Sequence, residues 1–221
     1  MKVFEVGGCV RDSLLNIPSN DIDYVIEASS YEQMKDYVLQ NSRNIFLEKP
    51  EFGTIRYMSL NGTPEDISLC IKSRASDNSS FEIGTLLEDL KNRDFTINSI
   101  ARMKNTEELF DPTCGIDDLS KKLIKCVADP EVVFNNDPAR IIRAIRFKIQ
   151  FGFELDMEIK KFFFEKKDFS PLLNINRERL RQEIEKCLKV SSKKTIVEFN
   201  TLGTEFLAII FDKHKLSLNI R

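Results

Sequence analysis

The sequence is poorest in the residues that most metalloenzymes and hydrolases rely on. It contains one histidine, His214, and no tryptophan. A lone imidazole argues against a zinc site and leaves a Ser-His-Asp arrangement little to work with. The five cysteines (Cys9, Cys70, Cys114, Cys126, Cys187) stand far apart with no C-x-x-C pair, which fits a reducing compartment and again disfavours zinc. Long apolar runs are also missing. The longest, FLAIIF at 206–211, is far too short to span a bilayer, and MKVFEVGG reaches two glycines before any stretch that resembles a signal peptide. The expectation is a soluble, cytoplasmic protein with no membrane partner. There is no internal repeat, heptad array or Gly-Ser linker. What is present is a 221-residue chain, 42% hydrophobic and 31% charged, long enough to bury roughly 70% of its unfolded surface. Wholesale disorder is excluded on that ground.

The net charge of -2 conceals a partition. Residues 1–135 carry 15 basic and 23 acidic side chains, residues 136–195 carry 15 and 9, and residues 196–221 carry three of each. An acidic first part joined to a basic segment suggests a polyanion site in the latter, with a solvated helical surface as the alternative.

The pattern changes character near residue 135. Before it, short alternating runs are broken by turn signals: KVFEV (2–6), DIDYVIE (21–27), GTIRYMSL (53–60) and EDISLCIK (65–72) read as strands. Residues 9–17 and 31–40 read as helices, and Asn61-Gly62 is a strong hairpin signal. SRASDNSS (73–80) has loop composition. After residue 135 the apolar residues recur at helical spacing. Asp137-Pro138 reads as a helix start, with Asp as N-cap and Pro at the first position. That helix would bury Ile141, Ile142, Ile145 and Ile149 and display Arg140, Arg143 and Arg146 along an exposed face. Two more helices are expected around 156–167 and 177–189.

Strand alternation places Asp21 and Asp23 on one side of the second strand, close enough to share a divalent cation, and magnesium takes such oxygen ligands. The same D-x-D pattern also serves as plain strand-end solvation. Asp66 points away from Ile67 and Leu69. It joins the pair as a third carboxylate if its strand lies beside the second, and is otherwise merely exposed near the hairpin. Gly7-Gly8 lets backbone approach a ligand, the free amides at the helix start favour an anion, and Arg11 can reach the same anion.

VGGCVRDSLLNIPSNDIDYVIE resembles the head-domain signature of class II tRNA nucleotidyltransferases, the family of CCA-adding enzymes and bacterial poly(A) polymerases. The likeness continues in order through EFGTIRY, EDLKNRDFTINSIA (88–101), FDPTCGIDDL (110–119), NDPARIIRAIRFKIQFGF (136–153) and NRERLRQEI (176–184). It implies that Asp21 and Asp23 hold two Mg2+ ions, with Asp66 at the third acidic position. It also implies that Gly7, Gly8 and Arg11 bind the triphosphate, that Arg93, Asp94 and Asn98 recognise the ribose, and that Asp137 and Arg140 read the base. An N-cap role for Asp94 is compatible with this. Chemistry supports the last assignment: cytosine and adenine present an amino donor beside a ring-nitrogen acceptor, whereas uracil and guanine present the reverse, so a carboxylate beside a guanidinium selects C and A. Arg143, Arg146, Arg179 and Arg181 are candidates for phosphate contacts with nucleotide or RNA, salt bridges to nearby Glu being the alternative.

Three departures from the family pattern stand out. Asn136 replaces an acid before the base-reading Asp; the arginine that closely follows the third acid has only Arg74 as its counterpart; and the relatives carry a longer helical body and tail. The implied fold is α+β: a nucleotidyltransferase (polymerase beta-like) head of mixed β-sheet and helices over 1–125, an all-helical neck over 126–190, and the start of a shortened helical body over 191–221. The implied activity is transfer of CMP or AMP from CTP or ATP to a tRNA 3' end. Poly(A) polymerase or another RNA tailing activity is the alternative, and a non-catalytic RNA-binding relative is a third. Oligomeric state is open.

Overall fold

Residues 1–19, 22–74 and 80–215 are described by a computed structural model. The chain divides into two compact units, Met1–Leu119 and Ser120–Arg221.

The first unit is built on a seven-stranded mixed sheet of order β3-β4-β5-β2-β1-β8-β9. Its strands are β1 (Lys2–Val6), β2 (Asp23–Glu27), β3 (Ser42–Lys49), β4 (Thr54–Ser59), β5 (Pro64–Leu69), β8 (Ala101–Met103) and β9 (Leu109–Phe110). Only β2 and β5 run parallel among the paired neighbours. β6 (Ile71–Arg74) and β7 (Phe81–Ile83) form a separate antiparallel pair. Among the described residues its α-helices are α1 (Gly8–Leu14), α2 (Tyr31–Asn41), α3 (Leu86–Lys91) and α4 (Gly115–Ser120). Period-two alternation explains the layering: Tyr24, Ile26, Ile55, Tyr57, Ile67 and Leu69 pack with Met34 and Val38 of α2. On the other face Phe4, Val6, Val25 and Cys70 pack with Leu86 and Leu90 of α3. Ser30 caps α2 by accepting the Gln33 amide, and Thr85 and Glu88 form a reciprocal capping box on α3.

Three details depart from the sequence reading. The run 65–72 is broken at Cys70 into β5 and β6: the Cys70 amide still donates to Ile26 of β2, while its carbonyl accepts the Gly84 amide. β3 lacks a buried alternating face, lying at one edge of the sheet with register irregularities against β4, and so gave no strand signal. Of the presumed loop at 73–80, residues 75–79 lie outside the described residues.

Among the described residues the second unit is mainly helical, with a two-residue parallel bridge between β10 (Leu123–Ile124) and β11 (Glu154–Leu155). Its helices are α5 (Pro130–Asn136), α6 (Ala139–Phe151), α7 (Met157–Lys161), α8 (Arg177–Thr201) and α9 (Thr204–Leu207), and α8 bends at Ser191, where φ and ψ leave the helical region. Ile141, Ile142, Ile145 and Ile149 are buried as expected. Without tryptophan, phenylalanine supplies the bulk of this core: Phe134 meets Phe162 edge-on at 5.0 Å, and Phe206 meets Phe169 and Phe199 at 5.0 and 5.3 Å. No helix among the described residues is long and apolar enough to cross a membrane.

Candidate active site

Asp23 opens β2 and lies in register with Asp66 on the parallel neighbour β5. Both line a cleft of about 290 Å³ together with Thr54, Ser68, Asp89 and Arg93. β5 therefore does lie beside β2, and the condition for Asp66 to join the acidic pair is met. Further along, the same sheet face is covered by α3, so the carboxylates stand at the uncovered end. Asp66 is 41% exposed and faces Arg56, whose Nε is 3.7 Å from Oδ1. Asp21 lies outside the described residues. No group of three His, Cys, Asp or Glu side chains suited to a metal occurs among the described residues. Two adjacent carboxylates open to solvent are nonetheless the hard, all-oxygen donor set that magnesium accepts, the rest of its shell coming from water and substrate phosphates.

The turn between β1 and α1 borders this cleft. Gly7 has φ +74°, a left-handed value that favours glycine, and a β-carbon there would lie 3.0 Å from Nη1 of Arg93. Gly8 begins α1, with its missing β-carbon 3.5 Å from Arg11 Nη2. Arg11 is only 6% exposed. Its Nε donates to Asp12 at 2.9 Å and its Nη1 to Asn98 Oδ1 at 2.6 Å. Asn98 in turn donates to Asp94 Oδ1 at 2.9 Å, which also accepts the Phe95 amide at 2.7 Å. Arg93 donates from Nε and Nη2 to Asp89 Oδ2 at 3.2 and 2.9 Å. The predicted triphosphate and ribose residues are thus one connected cluster. Asp94 is not the N-cap of the short turn Thr96–Asn98, which is Phe95. Its carboxylate is instead engaged by that residue's amide and by Asn98.

Sequence reasoning missed the carboxylates that hold these cations. Asp12 adjoins Arg11, and Asp89 precedes Arg93 by one helical turn, a spacing that could have signalled the pair. It also missed what FDPTCGIDDL does. Asp111 accepts the Gly115 and Ile116 amides at 2.7 and 2.9 Å, and Asp118 accepts the Thr96 hydroxyl at 2.7 Å. A β-carbon on Gly115 would sit 2.1 Å from the Thr96 carbonyl oxygen, so only glycine lets this segment buttress the turn carrying Asn98.

In the second unit α6 starts at Ala139 with Pro138 in the N-cap position, one residue later than expected. Asp137 still serves the helix start by accepting the Ala139 amide at 3.2 Å. Its Oδ2 accepts Arg179 Nη2 at 2.6 Å and lies 3.7 Å from Arg140 Nε. The arginine stripe is not on an exposed face. Arg143 and Arg146 are half-buried against α8, each 3.5 Å from a Glu183 oxygen, and Lys186 approaches the same carboxylate at 2.8 Å. Helical periodicity cannot distinguish solvent from a neighbouring helix that carries a buried acid. Burial alone would push the Glu183 carboxyl up, but Lys186, Arg143 and Arg146 outweigh it and hold it below the ordinary range. Arg181 pairs with Glu178 and Glu185 on the exposed side of α8. No cysteine among the described residues is in a disulfide, and burial pushes the Cys187 thiol up to about 12, which makes it a poor nucleophile.

Comparison with known proteins adds a lineage to this geometry. Residues 3–125 match the family model described as the poly(A) polymerase head domain. The CCA-adding enzyme of Leuconostoc citreum is 36% identical over 195 residues, covering 85% of this chain and 45% of that protein. That of Limosilactobacillus reuteri is 35% identical over 195 residues, with the same coverage. Among solved structures, the Thermotoga maritima CCA-adding enzyme complexed with tRNA superposes with a TM-score of 0.78 at 30% identity, over 96% of this chain and 48% of that one. The Bacillus stearothermophilus CCA-adding enzyme in complex with CTP gives 0.71 at 29% identity, over 84% and 44%. The chain thus spans about half the length of the relatives it matches.

Proposed function

The chain belongs to the poly(A) polymerase head-domain family, and from that premise we propose that it is an RNA 3'-terminal nucleotidyltransferase adding CMP and AMP to tRNA 3' ends, in the cytoplasm. In the reaction the RNA 3'-oxygen forms a bond to the α-phosphorus of CTP or ATP as its proton departs, and the bond to the β-phosphate oxygen breaks to release pyrophosphate. The observation that carries this reading is the register pairing of Asp23 with Asp66 at the uncovered end of the sheet, in one cleft with Arg93 and beside the Gly7 turn.

Asp21 and Asp23, with Asp66 alongside, would hold two magnesium ions. Such ions neutralise the charge that develops on the attacking and leaving oxygens. The Gly7-Gly8 turn leaves room for phosphate oxygens near backbone amides. Arg93, fixed by Asp89, offers its outer donors to the nucleotide. Arg11 is a positioning residue in this scheme: buried between Asp12 and Asn98, it ties the phosphate turn to the ribose-contacting Asp94 and Asn98. Catalysis is assigned to residues 1–125, base selection to residues 126–190, and the beginning of a helical body to 191–221. Asp137 accepts the amino group of C or A and Arg140 donates to the ring nitrogen, so the protein replaces a template strand. The relatives solved with tRNA, CTP and ATP support these ligand classes.

The test supplies magnesium and tRNA ending before CCA, at C and at CC, with each nucleotide alone and together, and sequences the products. Extension that stops after CCA is the expected result. Long A tracts would replace the proposal with a tailing activity, and unextended ends from the wild-type chain would leave only an RNA-binding role.

A further inference from the structure

Three charged side chains lie in one row across neighbouring strands: Arg56 on β4 is in register with Asp66 on β5, and Asp66 with Asp23 on β2. Side chains directly opposite on adjacent strands share a face, so the guanidinium is directed along the same surface as both carboxylates. The other two arginines near the cleft are held by acids outside this row, Arg11 by Asp12 and Arg93 by Asp89. Arg56 is held by Asp66 itself, at 3.7 Å, and is 52% exposed.

A cation bound at Asp23 and Asp66 would take over the charge that Arg56 now satisfies and would repel it. Repulsion between like charges a few ångströms apart at an exposed site is enough to act yet is screened enough to be reversed by a new partner. A metal–triphosphate brings that partner with it: phosphate oxygens arrive with the cation, and the planar fork of a guanidinium suits them. Resting on the nucleotidyltransferase reading, we propose that Arg56 is a resident counter-ion of the metal-binding carboxylates, pairing with Asp66 until nucleotide arrives and then passing to one of its phosphates. It would be a positioning residue that disfavours metal without nucleotide and favours the two together.

Two affinities measured on the full chain test this: free Mn2+ by electron paramagnetic resonance titration, and α,β-methylene CTP at saturating Mg2+. Arg56→Gln should bind Mn2+ alone roughly 3- to 10-fold more tightly and the analogue weaker by a similar factor. Arg56→Lys keeps the charge and loses the fork. It should retain wild-type Mn2+ affinity and recover part of the analogue affinity. A purely structural role would weaken both affinities together in Arg56→Gln. That outcome, or no change in either, would overturn the proposal. Wild-type protein that bound neither probe would overturn the nucleotidyltransferase reading as well, so the two failures are distinct.

Discussion

Asp137 has two duties at the scale of single residues, and they separate experimentally. It accepts the Ala139 amide at the start of α6, worth about 1 kcal/mol as a helix-start bond, and its other oxygen is shared by Arg179 and Arg140. Asn136 supplies no acid at the preceding position, whereas Asp137 Oδ2 lies 3.7 Å from Arg140 Nε. Asp137→Asn retains an acceptor for the amide and loses the charge that fixes both arginines. The expected outcome is a folded protein whose preference for C and A over U and G falls roughly 10- to 100-fold in single-nucleotide incorporation, since a hydrogen bond to a charged group contributes about 1.5–3 kcal/mol. Unchanged selectivity would remove Asp137 from base reading. The same residue illustrates a limit of reading sequence: its place at a helix start was legible from Asp-Pro, but its bond to Arg179, 42 positions away, depends on how α8 packs and leaves no local trace.

At the scale of elements, α6 and α8 are joined through a buried acid. Glu183 is 4% exposed and surrounded by Arg143, Arg146 and Lys186, which depress its carboxyl pKa below the ordinary value. For a depressed carboxyl the stabilisation is complete above the unfolded-state pKa, near 4.5, and is lost as pH falls through the lower folded-state value. Urea midpoints of the wild type should therefore decline as pH drops below about 4.5, and Glu183→Gln should flatten that acid limb. At neutral pH the variant should be roughly 2–4 kcal/mol less stable, because three cations lose their common partner. A variant with the wild-type midpoint and the wild-type acid limb would show that the cluster contributes nothing. The strands and helices themselves were largely evident from alternation, caps and the Asn61-Gly62 turn. β3 was not, because an edge strand with few buried residues carries no period-two signal. The arginine stripe was found but assigned to solvent, since period 3.6 identifies a face and not what covers it.

Considered as a whole, the molecule pairs an acidic unit bearing the carboxylates with a basic, mostly helical one. Much of that basic charge is locally spoken for, with Arg143, Arg146, Arg179 and Arg181 all engaged by acids. On the proposed function RNA phosphates would compete with those partners, so tRNA affinity should fall with rising salt along a log–log slope of a few, at about 0.7 per neutralised phosphate for single-stranded contacts. A slope near zero would remove the basic segment as an RNA track. The resemblance was legible because it rests on residue types at short spacings, as in Gly7-Gly8, Asp21-Asp23 and Asp137-Arg140. The supporting acids Asp12, Asp89 and Asp118 were not, because their task is to hold other side chains and any of several positions would serve.

On the proposed function Asp23, at the start of β2, drives nucleotidyl transfer. It is tested most directly by the single-turnover rate of CMP transfer to tRNA lacking CCA, for the wild type against Asp23→Asn. Asp23→Asn should lose at least roughly a thousandfold in rate, the scale expected when two-metal charge stabilisation fails, with the fold and tRNA affinity retained. Transfer at a rate within a few-fold of wild type would contradict it.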